Sequence, residues 1–210
     1  IFYELTYDTA KLAHEEGLYN TYVTNGYINP EPIKKIAPYL DEVTVDFKGS
    51  GDEEFLREFS SVPSPDPIFR ALREYKEQGI FVEVTDLIVP EMGDSMNKVR
   101  ELVKWIKENL GDDTPIHFLR FFPAYKVEDL PPTPLETLES AYRIAKEEGM
   151  KYVYLGNVGD EKNNTYCPEC GKLLIERGGM QTIENKVEDG KCPYCGTEIN
   201  IAGQRYMEDI

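Results

Sequence analysis

The chain has 210 residues, 40% of them hydrophobic and 11% aromatic, which excludes a disordered chain and predicts one main domain with a substantial core. Its formal net charge of −16, from 39 acidic and 23 basic residues, argues against general binding to nucleic acid or to an anionic membrane surface. No stretch approaches the roughly 18 apolar residues of a membrane span, and residues 1–10 lack a basic region followed by an apolar one, so we expect a cytoplasmic protein.

The first predicted elements alternate between helix and strand. Residues 4–17 carry apolar side chains at helical spacing, and residues 21–24 are typical of a strand. An Asn-Pro-Glu-Pro sequence opens a short helix over residues 29–36. Residues 42–47 alternate as a strand, which the Gly-Ser-Gly sequence at 49–51 ends.

The alternation continues with longer elements. Asp66 as a cap and Pro67 at the first position predict a helix that ends near residue 79, and the β-branched run at residues 80–89 predicts a strand. The remaining elements are a helix at 95–110, a strand at 116–122, a helix at 133–149 that opens on a Thr-Pro-Leu-Glu capping box, and a strand at 151–155.

Five strands separated by crossover-length segments predict an α/β fold with a parallel sheet or barrel, whose binding site gathers at the carboxyl ends of the strands. Two of these ends carry Thr24-Asn25-Gly26 and the pair Asp46 and Lys48. Alternation places Asp46 and Lys48 on one side of their strand, where the ammonium can face the carboxylate. Taken alone, the pair is also typical of a solvated salt bridge, and Thr-Asn-Gly is also a simple turn.

The predicted strand at residues 80–89 contains Glu83, Thr85 and Asp86, and polar residues inside such a strand need partners. Glu83, His117 and Arg120 are either groups that line a substrate cavity or structural side chains with satisfied hydrogen bonds, and the sequence leaves both interpretations open. His14 is expected on a helix surface.

All four cysteines lie in two copies of one motif, Cys-Pro-x-Cys-Gly. The ligands would be Cys167, Cys170, Cys192 and Cys195. A Cys-x-x-Cys turn directs two thiolates at one point, and two such turns complete a closed tetrahedral shell, which predicts a structural zinc site that performs no chemistry. The same shell accepts iron, and disulfides are the remaining alternative.

The strand ends together resemble the radical SAM superfamily, in particular the enzymes related to the pyruvate formate-lyase activating enzyme. Residues 22–27, 45–49 and 118–123, followed by the Cys-Pro-x-Cys-Gly pair, are similar to the radical SAM enzyme of the AmmeMemoRadiSam system. The resemblance spans the whole chain but only the later part of the family's sequence. It implies a partial β/α barrel over residues 1–158, without the family's first two strands, and a zinc ribbon over residues 159–210.

The resemblance also implies cofactors and roles. Asp46 and Lys48 occupy the Asp-x-Lys positions that contact S-adenosylmethionine (SAM), and Thr24, Asn25 and Gly26 form the turn beside it. Two positions differ from the activating enzymes. Val23 stands where those enzymes have an acidic cation ligand, and Tyr125 stands near the position of a histidine that contacts SAM. A complete enzyme would cleave SAM at a 4Fe-4S cluster to a 5′-deoxyadenosyl radical that takes hydrogen from a protein or small-molecule substrate.

The motifs that bind the cluster and the SAM amine in the family, Cys-x-x-x-Cys-x-x-Cys and Gly-Gly-Glu, do not occur in these residues. Because the sequence also begins with Ile1, we expect a processed, truncated or incompletely represented polypeptide that is inactive alone. Removal of two strands would leave an unpaired edge along residues 21–24. The resemblance further suggests association with the other two proteins of the AmmeMemoRadiSam system.

Two other classes of function stay open at this point. The first is a non-catalytic α/β interaction scaffold that a zinc ion stabilises. The second is a different barrel enzyme in which Lys48 acts as a Schiff-base or proton-transfer lysine.

Overall fold

The computed structural model describes residues 2–159, 161–179 and 181–203. Its main sheet has five parallel strands that pair in the order of the sequence, so every crossover joins neighbouring strands. These strands are β1 (Thr21–Thr24), β2 (Glu42–Lys48), β3 (Phe81–Ile88), β4 (Ile116–Arg120) and β5 (Val153–Gly156).

Helices occupy the crossovers and precede the first strand. Within the described residues they are α1 (Tyr3–Glu15), α2 (Pro30–Ile36), α3 (Glu53–Phe59), α4 (Asp66–Glu77), α5 (Met96–Asn109) and α6 (Leu135–Glu147). The predicted α/β class and parallel sheet are confirmed. The short helix α3 is an addition to the prediction, and it begins where the Asp52 carboxylate accepts a hydrogen bond from the backbone amide of Phe55 at 3.0 Å.

The two faces of the sheet differ in burial. Val43, Val45 and Phe47 of β2 are buried, and together with the buried side chains of α2, α4 and α5 they form one hydrophobic core. The alternate residues of β2 and β3 are only half-buried and include polar side chains. We call this second side the open face and define it by Glu42, Thr44, Asp46, Lys48, Glu83, Thr85 and His117.

The strand β1 lies at one edge of the sheet. In the described part of the chain it pairs only with β2, from Thr21 opposite Glu42 to Thr24 opposite Val45. The expected unpaired edge is therefore present. Val23, on the open face, is 80% exposed.

The apolar side chains of α1 are less buried than their helical spacing suggests. Ala10 is buried, but Leu5 and Leu12 are 66% and 64% exposed. The helix precedes the edge strand β1 and is attached through polar contacts such as the hydroxyl of Tyr3, which donates to the carbonyl of Pro32 at 2.7 Å. A helix that lies beyond the edge strand has fewer neighbouring elements, so fewer of its apolar side chains are covered than the helical spacing alone would indicate.

Two predicted helix caps are also wrong. The carbonyl of Ile88 accepts a bond from the hydroxyl of the buried Thr133 at 2.7 Å, and that hydroxyl accepts one from the amide of Phe121 at 2.8 Å, so it does not cap α6. Asp66 lies inside the first turn of α4, which follows Pro65. A buried threonine hydroxyl without hydrogen-bond partners would lower the stability of the fold. Thr133 therefore bonds to Ile88 and Phe121 at the sheet and does not cap the helix.

A second, antiparallel sheet follows β5. It consists of β6 (Thr165–Tyr166), β7 (Leu173–Gly178) and β8 (Gln181–Asn185). It packs on β5 through a cluster that contains Tyr152, Tyr154, Leu174 and Ile175. The division of the chain at residues 158 and 159 stays a prediction, and residues 160, 180 and 204–210 of the second segment lie outside the described residues.

None of the helices in the described part of the chain is long and apolar enough to cross a membrane.

Candidate functional site

The carboxyl end of the open face holds the predicted charged pair. The ammonium of Lys48 donates to Oδ2 of Asp46, and Oδ1 of the same carboxylate accepts a hydrogen bond from the Thr85 hydroxyl at 3.0 Å. The side chains of Lys48 and Asp46 are 38% and 31% exposed, so both charges remain accessible from the open side. The predicted placement on one side of β2 is confirmed.

The Thr-Asn-Gly turn after β1 is held by its own side chains. The Thr24 hydroxyl accepts from the amide of Gly26 at 3.2 Å, and the side-chain Oδ1 of Asn25 accepts from the backbone amide of Tyr27 at 3.0 Å. Gly26 has a φ of +70°, and a Cβ there would lie 2.8 Å from Val45. The turn therefore needs glycine for its conformation and for its close approach to β2.

A buried carboxylate supports the turn that follows Lys48. Asp86 is fully buried and accepts from the amide of Ser50 at 2.8 Å and from its hydroxyl at 2.7 Å. Ser50 has a φ of 55°, in the left-handed region. Burial raises the pKa of Asp86 to about 6, although the bonds from Ser50 act in the opposite direction. The sequence indicated only that a polar residue within this strand needs a partner.

Replacement Asp86→Asn is expected to change the pH dependence of stability. The folded-state pKa of Asp86 lies above the unfolded value, so the folded chain binds the proton more tightly, and this contribution to stability decreases as the pH rises from about 4 to about 6. Asparagine removes that decrease while keeping a similar shape. The free energy of unfolding of the variant, relative to the unsubstituted chain, should therefore improve by about 1–3 kcal/mol between pH 4 and 7.

Urea unfolding of both chains at several pH values, with metal present, measures this difference. The matched control is Asp8→Asn on the exposed surface of α1, which should follow the unsubstituted chain at every pH. A difference between Asp86→Asn and the unsubstituted chain that stays constant with pH would contradict the assignment.

The amino end of the open face holds a second set of polar groups. Nε2 of His117 lies 3.1 Å from Oε2 of Glu83, and the His117 ring stacks on Tyr154 with centroids 4.7 Å apart. Glu42 accepts from the Thr44 hydroxyl at 2.8 Å, and burial raises the pKa of Glu42 to about 7. The sequence analysis singled out Glu83 and His117 but missed Glu42.

The other flagged residues are placed away from this set. Arg120 donates from Nε to the carbonyl of Thr133 at 2.9 Å, which is a structural contact. His14 is exposed on α1, as expected. Tyr125 has a φ of 56° in the exposed loop after β4 and makes no contact with the Asp46 and Lys48 pair among the interactions described for it.

The four cysteines come together as a possible metal site. Their Sγ atoms all lie within 4.8 Å of one another, with 3.6 Å between Cys167 and Cys195 and 3.7 Å between Cys170 and Cys192. Zinc–sulfur bonds of about 2.3 Å in a tetrahedron place the sulfurs about 3.8 Å apart. The separations therefore fit one four-coordinate ion and exceed the roughly 2.05 Å of a disulfide.

The two knuckles repeat the same backbone geometry. The amide of Gly171 donates to the carbonyl of Cys167 at 3.0 Å, and that of Gly196 to Cys192 at 2.9 Å. Both glycines have positive φ, at 68° and 77°, as the sequence predicted. The hydroxyl and amide of Thr197 bond to Cys195 and lower its pKa, which favours the thiolate at this position, whereas the pKa of Cys170 in the same group is raised.

A parallel sheet with helices on one face defines an α/β domain, and the accessible charges at the carboxyl ends of its strands make that edge the candidate binding site. The sequence matches the family model of the Radical SAM superfamily over residues 1–106, half of its length. The chain belongs to the radical SAM superfamily.

The sequence is 44% identical over 204 residues to the uncharacterized protein MJ0808 of Methanocaldococcus jannaschii. The matched region covers 96% of this chain and 60% of that protein. The chain thus spans about 60% of the length of the curated relative that it matches.

Solved structures show the same fold at low identity. A domain of pyruvate-formate lyase-activating enzyme from Bacteroides vulgatus aligns with a TM-score of 0.63 at 15% identity, over 74% of this chain and 91% of that one. A radical SAM methyltransferase from Sphaerobacter thermophilus aligns with a TM-score of 0.58 at 19% identity, over 81% of this chain and 50% of that one.

The residues present fit one of the family's two cofactors better than the other. The Asp46 and Lys48 pair offers an accessible carboxylate and ammonium to SAM. The chain's four cysteines all converge on one point, and a 4Fe-4S cluster needs each thiolate on a different iron and an iron left open for SAM. These residues do not fit that cluster.

Proposed function

We propose that these residues form the later part of a radical SAM enzyme and supply one wall of its SAM site. Superfamily membership, together with an accessible ion pair at the carboxyl edge of the parallel sheet, carries the proposal. In such an enzyme, SAM cleaved with one electron from a 4Fe-4S cluster would supply the radical that abstracts hydrogen from a substrate.

The ion pair is suited to a zwitterionic ligand. The methionine part of SAM carries an amine and a carboxylate, and Asp46 and Lys48 present the opposite charges on one side of β2. Thr85 orients the Asp46 carboxylate by its 3.0 Å hydrogen bond. Thr24, Asn25 and Gly26 bond within their own turn, so we assign them to shaping the wall beside the ligand.

We propose that the cluster ligands belong to a segment outside these 210 residues and that this chain alone does not cleave SAM. The cysteine geometry and the 60% coverage of the curated relative support this view. We assign zinc to the four-cysteine shell because a closed set of four thiolates suits a structural ion. The cytoplasm, a reducing compartment, keeps such thiols free for metal.

The substrate and partners are proposed on the resemblance alone. The likeness of residues 22–27, 45–49 and 118–123 supports a protein or small-molecule substrate and association with the other two AmmeMemoRadiSam proteins. Co-purification of those proteins with this one from cell extract would test the association.

The experiment that tests the proposal begins with the gene that encodes these residues. We expect a longer reading frame with Cys-x-x-x-Cys-x-x-Cys before Ile1, whose product cleaves SAM after anaerobic reconstitution with iron and sulfide. Lys48→Met in that product should lower SAM cleavage at least tenfold, which corresponds to about 1.4 kcal/mol. Lys104→Met, on the exposed side of α5, is the matched control and should leave cleavage unchanged.

The 210-residue chain provides the second arm. We expect one zinc per chain and no absorption near 400 nm after the same reconstitution. A chain of this length that assembles a cluster and cleaves SAM would contradict the proposal. A longer product that binds zinc but not SAM would favour the interaction scaffold instead.

A further inference from the structure

A cavity of about 400 Å³ lies between the amino end of the open face and the second sheet. Residues of β2 to β5 form one wall, and residues of β7 and β8 form the opposite wall. Its lining does not include Asp46 or Lys48, and Glu42 lies about 20 Å from Lys48 at the usual rise of a strand. The lining residues nearest to Asp46 are Thr44, two residues before it on the same face, and His117, in register with Thr85.

The sheet wall of this cavity carries two carboxylates on neighbouring strands. Thr44 is paired in register with Glu83, so Glu42, two residues before Thr44, is the diagonal neighbour of Glu83 on the same face. Glu83 has His117 as a partner, whereas Glu42 has a hydrogen bond from the neutral Thr44 hydroxyl. Among the described residues, the charge that acts on Glu42 is that of Glu83, another carboxylate.

The opposite wall does not neutralise these charges. Arg177 donates to the carbonyl of Asn163 at 2.9 Å and to the Thr165 hydroxyl at 2.8 Å, and its guanidinium lies over the ring of Tyr154. These contacts hold the guanidinium at the second sheet. The remainder of the lining mixes amide side chains with apolar surface from Pro115, Ile175 and Ile201.

The volume of the cavity and the chemistry of its lining indicate which kind of ligand it can bind. A volume of this order is typical of sites for small organic molecules and far exceeds that of one metal ion. Calcium or magnesium would also need about six oxygen ligands, and this wall offers two carboxylates and a hydroxyl. An organic cation with an alkyl chain matches both the acidic wall and the apolar surface.

We propose that this cavity binds a small alkylammonium ligand, with the ammonium group beside Glu42 and Glu83 and the alkyl chain along Pro115 and Ile175. The site is a second one, separate from the proposed SAM wall, and it depends on the second sheet being folded against the open face.

The proposal has a pH signature. Burial raises the pKa of Glu42 to about 7, so this carboxyl is partly protonated in the empty cavity at neutral pH. A bound cation favours the ionised form, so the affinity should increase from about pH 6 to pH 8 and binding should release protons. The other titratable and charged groups at the cavity are Tyr19 before β1, Glu83 on β3, His117 on β4, Tyr154 on β5 and Arg177 on β7.

The test uses n-pentylamine as the probe and the 210-residue chain with its metal. In a titration followed by amide NMR, we expect saturable shifts at Thr44, Glu83 and Ile175 with a Kd of about 1 mM or tighter. The uncharged analogue 1-pentanol and the anionic analogue pentanoate should give no saturable shifts. Glu42→Gln should weaken amine binding at least tenfold and reduce its pH dependence.

Glu54→Gln on the exposed side of α3 is the matched control and should bind like the unsubstituted chain. Shifts that do not saturate, equal binding of the alcohol, or an affinity that falls between pH 6 and 8 would each overturn the proposal. The pH series on the unsubstituted chain keeps the test decisive even where Glu42→Gln alters folding. None of these measurements involves SAM, so their failure is separate from failure of the proposed function.

Discussion

Removal of the metal is expected to unfold the knuckle segment over residues 166–201 while the five-stranded sheet stays folded. The second sheet has a small core, with Leu174, Ile175 and Ile199 as its buried aliphatic side chains. A core of this size is too small to be stable without a bound metal ion or a covalent cross-link. Binding of a structural zinc ion can contribute about 10 kcal/mol or more to folding. Hydrogen exchange before and after chelation measures the effect.

The amides of β7 and β8 should lose protection, whereas those of β2 and β3 should keep it. Cys192→Ser, which alters a buried ligand, should reproduce the loss without a chelator. The control Tyr194→Phe changes an exposed residue of the same knuckle and should retain one metal per chain. Unchanged protection of β7 in the metal-free chain would contradict a structural role for the four cysteines.

Gly26→Ala is expected to destabilise the chain by about 2–5 kcal/mol. Alanine at a φ of +70° costs about 1–2 kcal/mol, and its Cβ would lie 2.8 Å from Val45 and 2.9 Å from Ile68. Overpacking of that kind adds about 1–3 kcal/mol, because Val45 and Ile68 are buried in the main core. Urea unfolding, followed by circular dichroism, measures the change in the free energy of unfolding.

Gly17→Ala is the matched control for this substitution. Gly17 has nearly the same conformation, with a φ of +75°, but no atom lies within 4 Å of its added Cβ. Only the conformational cost of about 1–2 kcal/mol should appear there. Equal destabilisation by the two substitutions would show that the turn after β1 is not tightly packed against β2.

The regular elements could be predicted from sequence because their signals are local. The strand Thr21–Thr24 has the predicted bounds, and α5 begins directly after Ser95 as expected. The Thr133 cap could not be judged in the same way, since its hydroxyl bonds to Ile88, 45 residues earlier in the chain. Burial determines which of two possible hydrogen-bond partners such a side chain adopts, and a local sequence pattern contains no information on burial.

In the candidate site, too, the features that depend on local sequence could be predicted and those that depend on long-range contacts could not. Alternation along one strand sufficed to bring Asp46 and Lys48 together, and the spacing of the cysteines sufficed to bring four thiols within 4.8 Å. Glu42 carried no signal, because its environment depends on the second sheet folding back over the amino end of the open face. No motif in the sequence encodes that contact.

Thr133 has a further consequence for the segment between β4 and α6. Its amide donates to the Phe121 carbonyl at 3.2 Å while its hydroxyl accepts from the Phe121 amide, so residues 121 and 133 are fastened together at the rim of the sheet. The intervening stretch begins and ends at one anchored point. We therefore expect changes confined to its exposed residues 122–126 to leave the strands beneath unaffected, whereas Leu130 of the same stretch is buried in the main core.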